Sequence, residues 1–114
     1  MWFEAEAIGH PGHRVLVLSG DIDVTSAPTL DAEFFCLIEE SALPLIVDMA
    51  AVQLCAAAGL HSIVRALRHA RMRECPLVFS GITPQVRKVI GIAGLHRVVT
   101  EYPTVADARR DLIS

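Results

Sequence analysis

The residues able to do chemistry are few in this chain and do not converge on a catalytic set. The stretch Cys55-Ala56-Ala57-Ala58-Gly59 follows an apolar run and opens a helical pattern. It therefore sets backbone N–H groups and the positive end of a helix dipole beside the end of a strand. Such a corner suits an anion or a phosphoryl group. Yet it holds no Ser, Thr, Asp, Lys or Arg. Its one reactive side chain is Cys55, which reads first as a buried packing residue, with a redox switch at a helix start as the alternative. The five histidines, His10, His13, His61, His69 and His96, make no metal-ligand spacing with Cys36, Cys55 and Cys75. Neither a metal nor another cofactor is expected. There is no glycine-rich phosphate loop, no Ser or Cys paired with His and a carboxylate, and no close carboxylate pair at a strand end. An enzyme is therefore not expected.

Two further clusters are better suited to binding. Asp21 and Asp23 stand in a short acidic segment that reads by itself as a solvated loop with an Asx turn. Thr25 or Ser26 just after it has a sufficient explanation as a helix cap. His61, Arg65, Arg68 and His69 share the exposed face of the second helical pattern, a cationic stripe that suits an acidic partner. Ser62 is expected on the face opposite Leu60, Val64 and Leu67, and hence exposed.

The elements that must position these groups follow from periodicity and punctuation. Trp2 to Ile8 alternates as an edge strand, with Glu4 and Glu6 on one side and Phe3, Ala5 and Ala7 on the other. A turn of breakers, Gly9-His10-Pro11-Gly12, leads to a strand from Arg14 to Ser19, and Gly20-Asp21-Ile22-Asp23 is expected to leave the sheet. A first helix carries Leu30, Phe34, Leu37 and Ile38 inward, with Phe35 off that stripe, and ends near Ser41. After Pro44, the run Leu45-Ile46-Val47 reads as a central strand ending at Asp48, and a short connection leads to a helix from Gly59 with Leu60, Ile63, Val64 and Leu67 inward. That helix ends in a basic last turn, with Arg68, Arg71 and Arg73. Pro76 to Ser80 is a further strand. Thr83-Pro84 caps a third helix with Val86, Val89, Ile90 and Ala93 inward that stops at Gly94. Val98 to Tyr102 makes the last strand, and Thr104 with Asp107 is an approximate capping box for the closing helix. The order β-β-α-β-α-β-α-β-α predicts an α/β sandwich with a mixed central sheet of about five strands and about four helices.

The 114 residues are expected to form a single domain, residues 1–114, with a core of Val, Ile, Leu and Ala, since the hydrophobic share is 53% and the aromatic share 5%. No apolar run approaches the roughly 18 residues of a membrane span, so no membrane insertion is expected. The acidic opening Met1-Trp2-Phe3-Glu4 is unlike a secretory leader, and three unpaired cysteines suit a reducing compartment. A cytoplasmic protein is expected. A net charge of −3 sets nucleic acid aside as a general partner.

Three segments in order resemble one family. Gly20-Asp21-Ile22-Asp23 with Thr25-Ser26-Ala27 and Leu30, Leu45-Ile46-Val47-Asp48-Met49 followed by Gly59-Leu60, and Ile82-Thr83-Pro84-Gln85-Val86-Arg87-Lys88-Val89 with Ala93-Gly94-Leu95 are similar to segments of the STAS domains of bacterial anti-sigma factor antagonists. The resemblance runs from about Val15 to the last helix. It implies a STAS-type sandwich and a regulator that binds an anti-sigma factor of the serine-kinase type, influencing sigma-factor-dependent transcription. It also implies a phospho-acceptor serine after an aspartate in the second segment. Here Ala56 stands in the place of that aspartate and Ala57 in the place of the serine, followed by Ala58 and Gly59. Alanine has no hydroxyl, so the usual switch, a gain of about −1.5 to −2 in charge, is absent at this place. The expected partner surface is Asp21, Asp23, Thr25 and Ser26 with Gly59, His61, Arg65 and Arg68. An alternative is a non-phosphorylated STAS subunit of a larger assembly, a lipid-transport complex or signalling scaffold. A second copy of the chain, giving a homodimer, is a further candidate partner.

Overall fold

A two-residue turn at Pro11-Gly12, where Gly12 takes φ 80°, folds the first two strands into an antiparallel hairpin, and every later strand joins the sheet in parallel through a crossover helix. The computed structural model describes residues 2–113. Its elements are β1 (Phe3–His10), β2 (His13–Ile22), α1 (Ala27–Glu40), β3 (Leu45–Cys55), α2 (Ala57–Met72), β4 (Leu77–Ser80), α3 (Pro84–Ile92), β5 (Glu101–Tyr102) and α4 (Val105–Ile113). The strands lie side by side as β1-β2-β3-β4-β5 in a mixed sheet, the architecture expected.

Alternation along the central strands divides the core in two. Leu16, Leu18, Leu45, Val47 and Phe79 face the larger cluster, which also buries Leu30, Phe34 and Ile38 of α1, Ile63 of α2, and Val86 and Ile90 of α3. Val15, Ile46 and Val78 face the other way and meet Ala108 of α4. Each fully buried Leu, Ile or Val contributes about 1.5–3 kcal/mol relative to exposure, so the three-helix face dominates the stability.

Several boundaries differ from expectation, and the largest difference lies in β3. The strand does not end at Asp48 but runs on to Cys55, and β2 likewise does not leave the sheet at Gly20 but continues to Ile22. The pairing explains why. Between Val17↔Asp48 and Ser19↔Ala51, and again between Gly20↔Val52 and Asp21↔Leu54, β3 carries one residue more than β2. Each extra residue is a bulge that resets the alternation. Beyond Asp48 the buried positions are therefore Met49, Val52 and Cys55, a three-residue rhythm that resembles neither strand nor helix. The Asp48 carboxylate accepts from the Ala50 N–H at 3.0 Å, satisfying a donor at the first bulge.

Other corrections are local. β1 starts at Phe3 and extends to His10, so the turn is only two residues. The last strand is reduced to Glu101–Tyr102, because Gly94, at φ 75°, ends α3 and the chain turns through Leu95–Val98 first. Ala93 is the C-cap of α3 and exposed. Thr83 caps α3 as expected, accepting from Val86 N–H at 3.4 Å. Thr104 caps α4 by accepting from the Asp107 N–H at 3.1 Å, while its hydroxyl donates to the Asp107 carboxylate at 2.8 Å, a side-chain contact in place of the box's second backbone bond.

One buried charge ties the elements together. Arg14, 6% exposed, sends its guanidinium from the start of β2 to the carbonyls of Leu37, Ser41 (3.0 Å) and Leu43 (2.6 Å). These include an orphan carbonyl at the end of α1 and two in the loop that leads to β3, where a cation is favoured. Replacing Arg14 by Met would leave these acceptors buried without a donor. Urea denaturation of Arg14→Met is expected to show a loss on the order of 2 kcal/mol or more, with only partial recovery in Arg14→Lys, whose single ammonium cannot span three carbonyls.

Candidate functional site

The carboxyl ends of β2 and β3 bring the acidic segment and the alanine turn together. Asp21 pairs with Leu54 and Ile22 with Cys55, and the Ala56 N–H then donates to the Ile22 carbonyl at 2.8 Å. The chain departs from both strands at the same level, where parallel sheets commonly carry their sites. α2 begins at Ala57, two residues before the expected start, with Ala56 as N-cap in extended geometry (φ −80°, ψ 175°) and no side-chain cap. A serine or aspartate at 56 would meet the cap geometry; an alanine leaves it unfilled.

Gly59 explains how the helix comes so close. A Cβ at this position would lie 2.6 Å from the Ile22 side chain and 2.8 Å from the Cys55 sulfur, closer than packed atoms tolerate. Gly59 is itself buried, so it shapes the turn and offers no contact surface. Ala57 is exposed.

The acidic segment is built by its own hydrogen bonds. The Asp23 carboxylate accepts from the Thr25 and Ser26 N–H groups at 2.9 and 3.0 Å, the Asx turn expected. The Ser26 N–H above all, with the Thr25 N–H and the Ser26 hydroxyl, holds the Asp23 carboxyl below its ordinary range against a smaller desolvation effect. Ser26 does not cap α1: its hydroxyl donates to the Asp21 carbonyl and accepts the Asp23 N–H, both at 2.9 Å. At 9% exposure it belongs to the frame of the loop, whereas Thr25 is exposed and Asp21 and Asp23 are half-buried.

The cationic stripe divides. His61 is exposed near the start of α2. Arg65 leans to α1 and pairs with Asp31 at 2.8 Å, and His69 contacts Glu39 at 2.6 Å while stacking on Phe35 with centroids 5.1 Å apart. Arg68 turns to the other flank, beside Leu95 and Arg97. It also lies about 16 Å along the helix axis from Ala57. It is therefore remote from the turn. Ser62, expected to be exposed, is fully buried against α1 and donates to the Ala58 carbonyl at 3.3 Å.

Exposed apolar side chains around the turn escaped the sequence reading. Val24 is 77% exposed and Leu54 45%; the register places Leu54 opposite Asp21, just before α2 departs, and Val24 lies two residues beyond the end of β2. Trp2, 60% exposed, lines a concavity of about 390 Å³ with Asp21, Asp23, Thr25 and Thr29. The one signal in the sequence for this patch is a valine, Val24, between Asp23 and Thr25 in a polar loop.

Cys55 is nearly inaccessible, and burial pushes its thiol up to about 11, opposite to the lowering a helix start alone would give. The thiolate needed for oxidation or alkylation is scarce at neutral pH. Alkylation of the folded protein at pH 8 is expected to label the exposed Cys36 at least tenfold faster than Cys55, as read by peptide mass spectrometry. Equal rates would overturn the packing reading in favour of the redox one.

Residues 4–108 match the family profile described as the STAS domain. No curated protein matches the chain. Among solved structures, an anti-sigma factor antagonist from Mycobacterium paratuberculosis is 25% identical with a TM-score of 0.90, covering 99% of this chain and 96% of that one. The Bacillus cell fate determinant SpoIIAA in its phosphorylated form is 18% identical with a TM-score of 0.71, over 96% and 98% of the two chains. A sulfate transporter family protein from Wolinella succinogenes is 18% identical with a TM-score of 0.79, over 92% and 88%. The last two likenesses are of fold. With the profile spanning nearly its whole length, the chain belongs to the STAS domain family.

Proposed function

We propose that this protein is an anti-sigma factor antagonist that acts by binding an anti-sigma factor of the serine-kinase type, not by catalysis, and so influences sigma-factor-dependent transcription. The observation that carries the reading is the β2–β3 register, which sets the Asp23 turn beside the alanine corner of α2. The similarity to the mycobacterial antagonist supports it. The contact surface comprises Asp21, Asp23, Val24, Thr25, Leu54, Ala57, His61 and Arg65. Buried Ser26 and Gly59 shape it, and Arg68 lies outside it. With alanines at 56 and 57 the surface carries no acceptor for phosphate at the corner, so binding there is not switched off by that modification.

A second reading, a STAS subunit of a larger membrane-associated assembly, has the fold-level likeness to the sulfate transporter family protein in its favour. Among the described residues no helix is long and apolar enough to cross a membrane.

An introduced charge separates a used surface from an idle one. Ala57→Glu puts an anion at a helix start, which accepts it, so melting should change little. A complementary partner surface would meet an uncompensated charge. Titration calorimetry against kinase-type anti-sigma factors from the same genome is expected to show native binding and a loss of about 2 kcal/mol or more in the variant. Unchanged affinity in folded Ala57→Glu would move the interface elsewhere, and no native binding to any of them would favour the assembly reading.

A further inference from the structure

The chain has ten basic residues, of which one is Lys88, hence nine arginines. Four are ion-paired: Arg65 with Asp31, Arg73 with Glu39, Arg87 with Glu101 and Arg110 with Asp107. Two more are hydrogen-bonded, Arg14 to backbone carbonyls and Arg109 to His13 at 3.0 Å. Among the described residues the remaining three, Arg68, Arg71 and Arg97, have neither kind of partner, and all three line one concavity of about 640 Å³ between α2 and the Leu95–Val98 turn. Its floor and walls are apolar, with Val64, Leu67, Leu77, Leu95 and Val98.

The α2 dipole accounts for Arg71 in its last turn. It does not account for Arg97, which comes from a separate turn of the chain to the same rim. In a protein of net charge −3, three uncompensated guanidinium groups around an apolar hollow form a local inversion of charge. Guanidinium planes bind carboxylate and phosphate oxygens in forked geometry, and the apolar floor takes a hydrocarbon or aryl body that such a head would carry. The volume falls within the ~300–1,000 Å³ of ordinary small-molecule sites.

We propose that this concavity binds a small amphipathic anion, a carboxylate or phosphate monoester on an apolar body. The site lies on the flank of α2 away from α1, toward the end opposite the alanine corner. A ligand there would contact α2 and the turn after α3 without covering Ala57, so it is independent of the proposed partner surface.

The test uses decanoate as the probe, with inorganic phosphate and the uncharged amphiphile decyl maltoside as comparisons, followed by amide chemical shifts of the labelled protein. Decanoate is expected to give saturable shifts at Val64–Arg71 and Leu95–Val98, with phosphate at least tenfold weaker and the uncharged amphiphile silent at these positions. Arg68→Gln combined with Arg97→Gln should weaken decanoate about tenfold or more, and Arg87→Gln, whose partner is Glu101, should leave it unchanged. Phosphatidylglycerol vesicles should not sediment the protein, since the hollow takes a single small amphiphile. The proposal is overturned by equal binding of decyl maltoside, by phosphate binding as tightly as decanoate, by an unaffected double variant in its folded form, by shifts confined elsewhere, or by co-sedimentation with the vesicles.

Discussion

The pairing of β2 with β3 is the interaction on which the rest of the structure depends. Two parallel strands of ten and eleven residues would normally keep one alternation from end to end. Here two extra residues in β3 break it twice, and the strand stays paired only because Met49, Val52 and Cys55 still find the core. The consequence reaches the site. Without the second bulge Cys55 would not come level with Ile22, Ala56 would not donate to the Ile22 carbonyl, and α2 would start from a different height. Gly59 closes the arrangement, because only a residue without Cβ lets the helix start lie against Ile22 and Cys55.

That constraint also separates what was legible in the amino-acid sequence from what was not. Element order, the inward stripe of α1 and the caps at Thr83 and Thr104 depend on local period and local hydrogen bonds, and they are readable along the chain. The second half of β3 is not, since its three-residue rhythm arises from a neighbour strand of different length. The same holds for Ser62. Helical spacing placed it away from Leu60 and Leu67, yet α2 is covered by α1 on one flank and by the sheet below, so the buried arc is wider than one apolar stripe. For Cys55 the sequence offered buried packing first and a helix-start thiol second, and the packing decides: burial raises its pKa where the helix start alone would lower it. Arg14 gave no signal at all: a basic residue at a strand start has no visible partner until the α1–β3 loop folds over it.

α2 emerges as the divider of the surface. Its first turn carries the alanine corner, its α1 flank pairs Arg65 with Asp31 and Arg73 with Glu39, and its other flank keeps Arg68 and Arg71, unpaired among the described residues, beside Arg97. A single amphipathic helix thus offers one neutralised flank and one positive flank. The proposed protein contact lies at its start, and the proposed small-molecule site lies along the positive side.

The central claim is that the corner at residues 55–59 keeps the shape of a phosphorylatable turn and lacks only its side-chain chemistry. The most direct measurement restores that chemistry, with Ala56→Asp and Ala57→Ser together in one variant. The variant and the native protein are each incubated with ATP and a kinase-type anti-sigma factor that binds the native protein, and the products are read by intact mass and peptide mapping. The account predicts one phosphate on residue 57 of the variant and none on the native protein. A folded, partner-binding variant that stays unmodified, or a native protein phosphorylated at another hydroxyl such as Thr25, would contradict it.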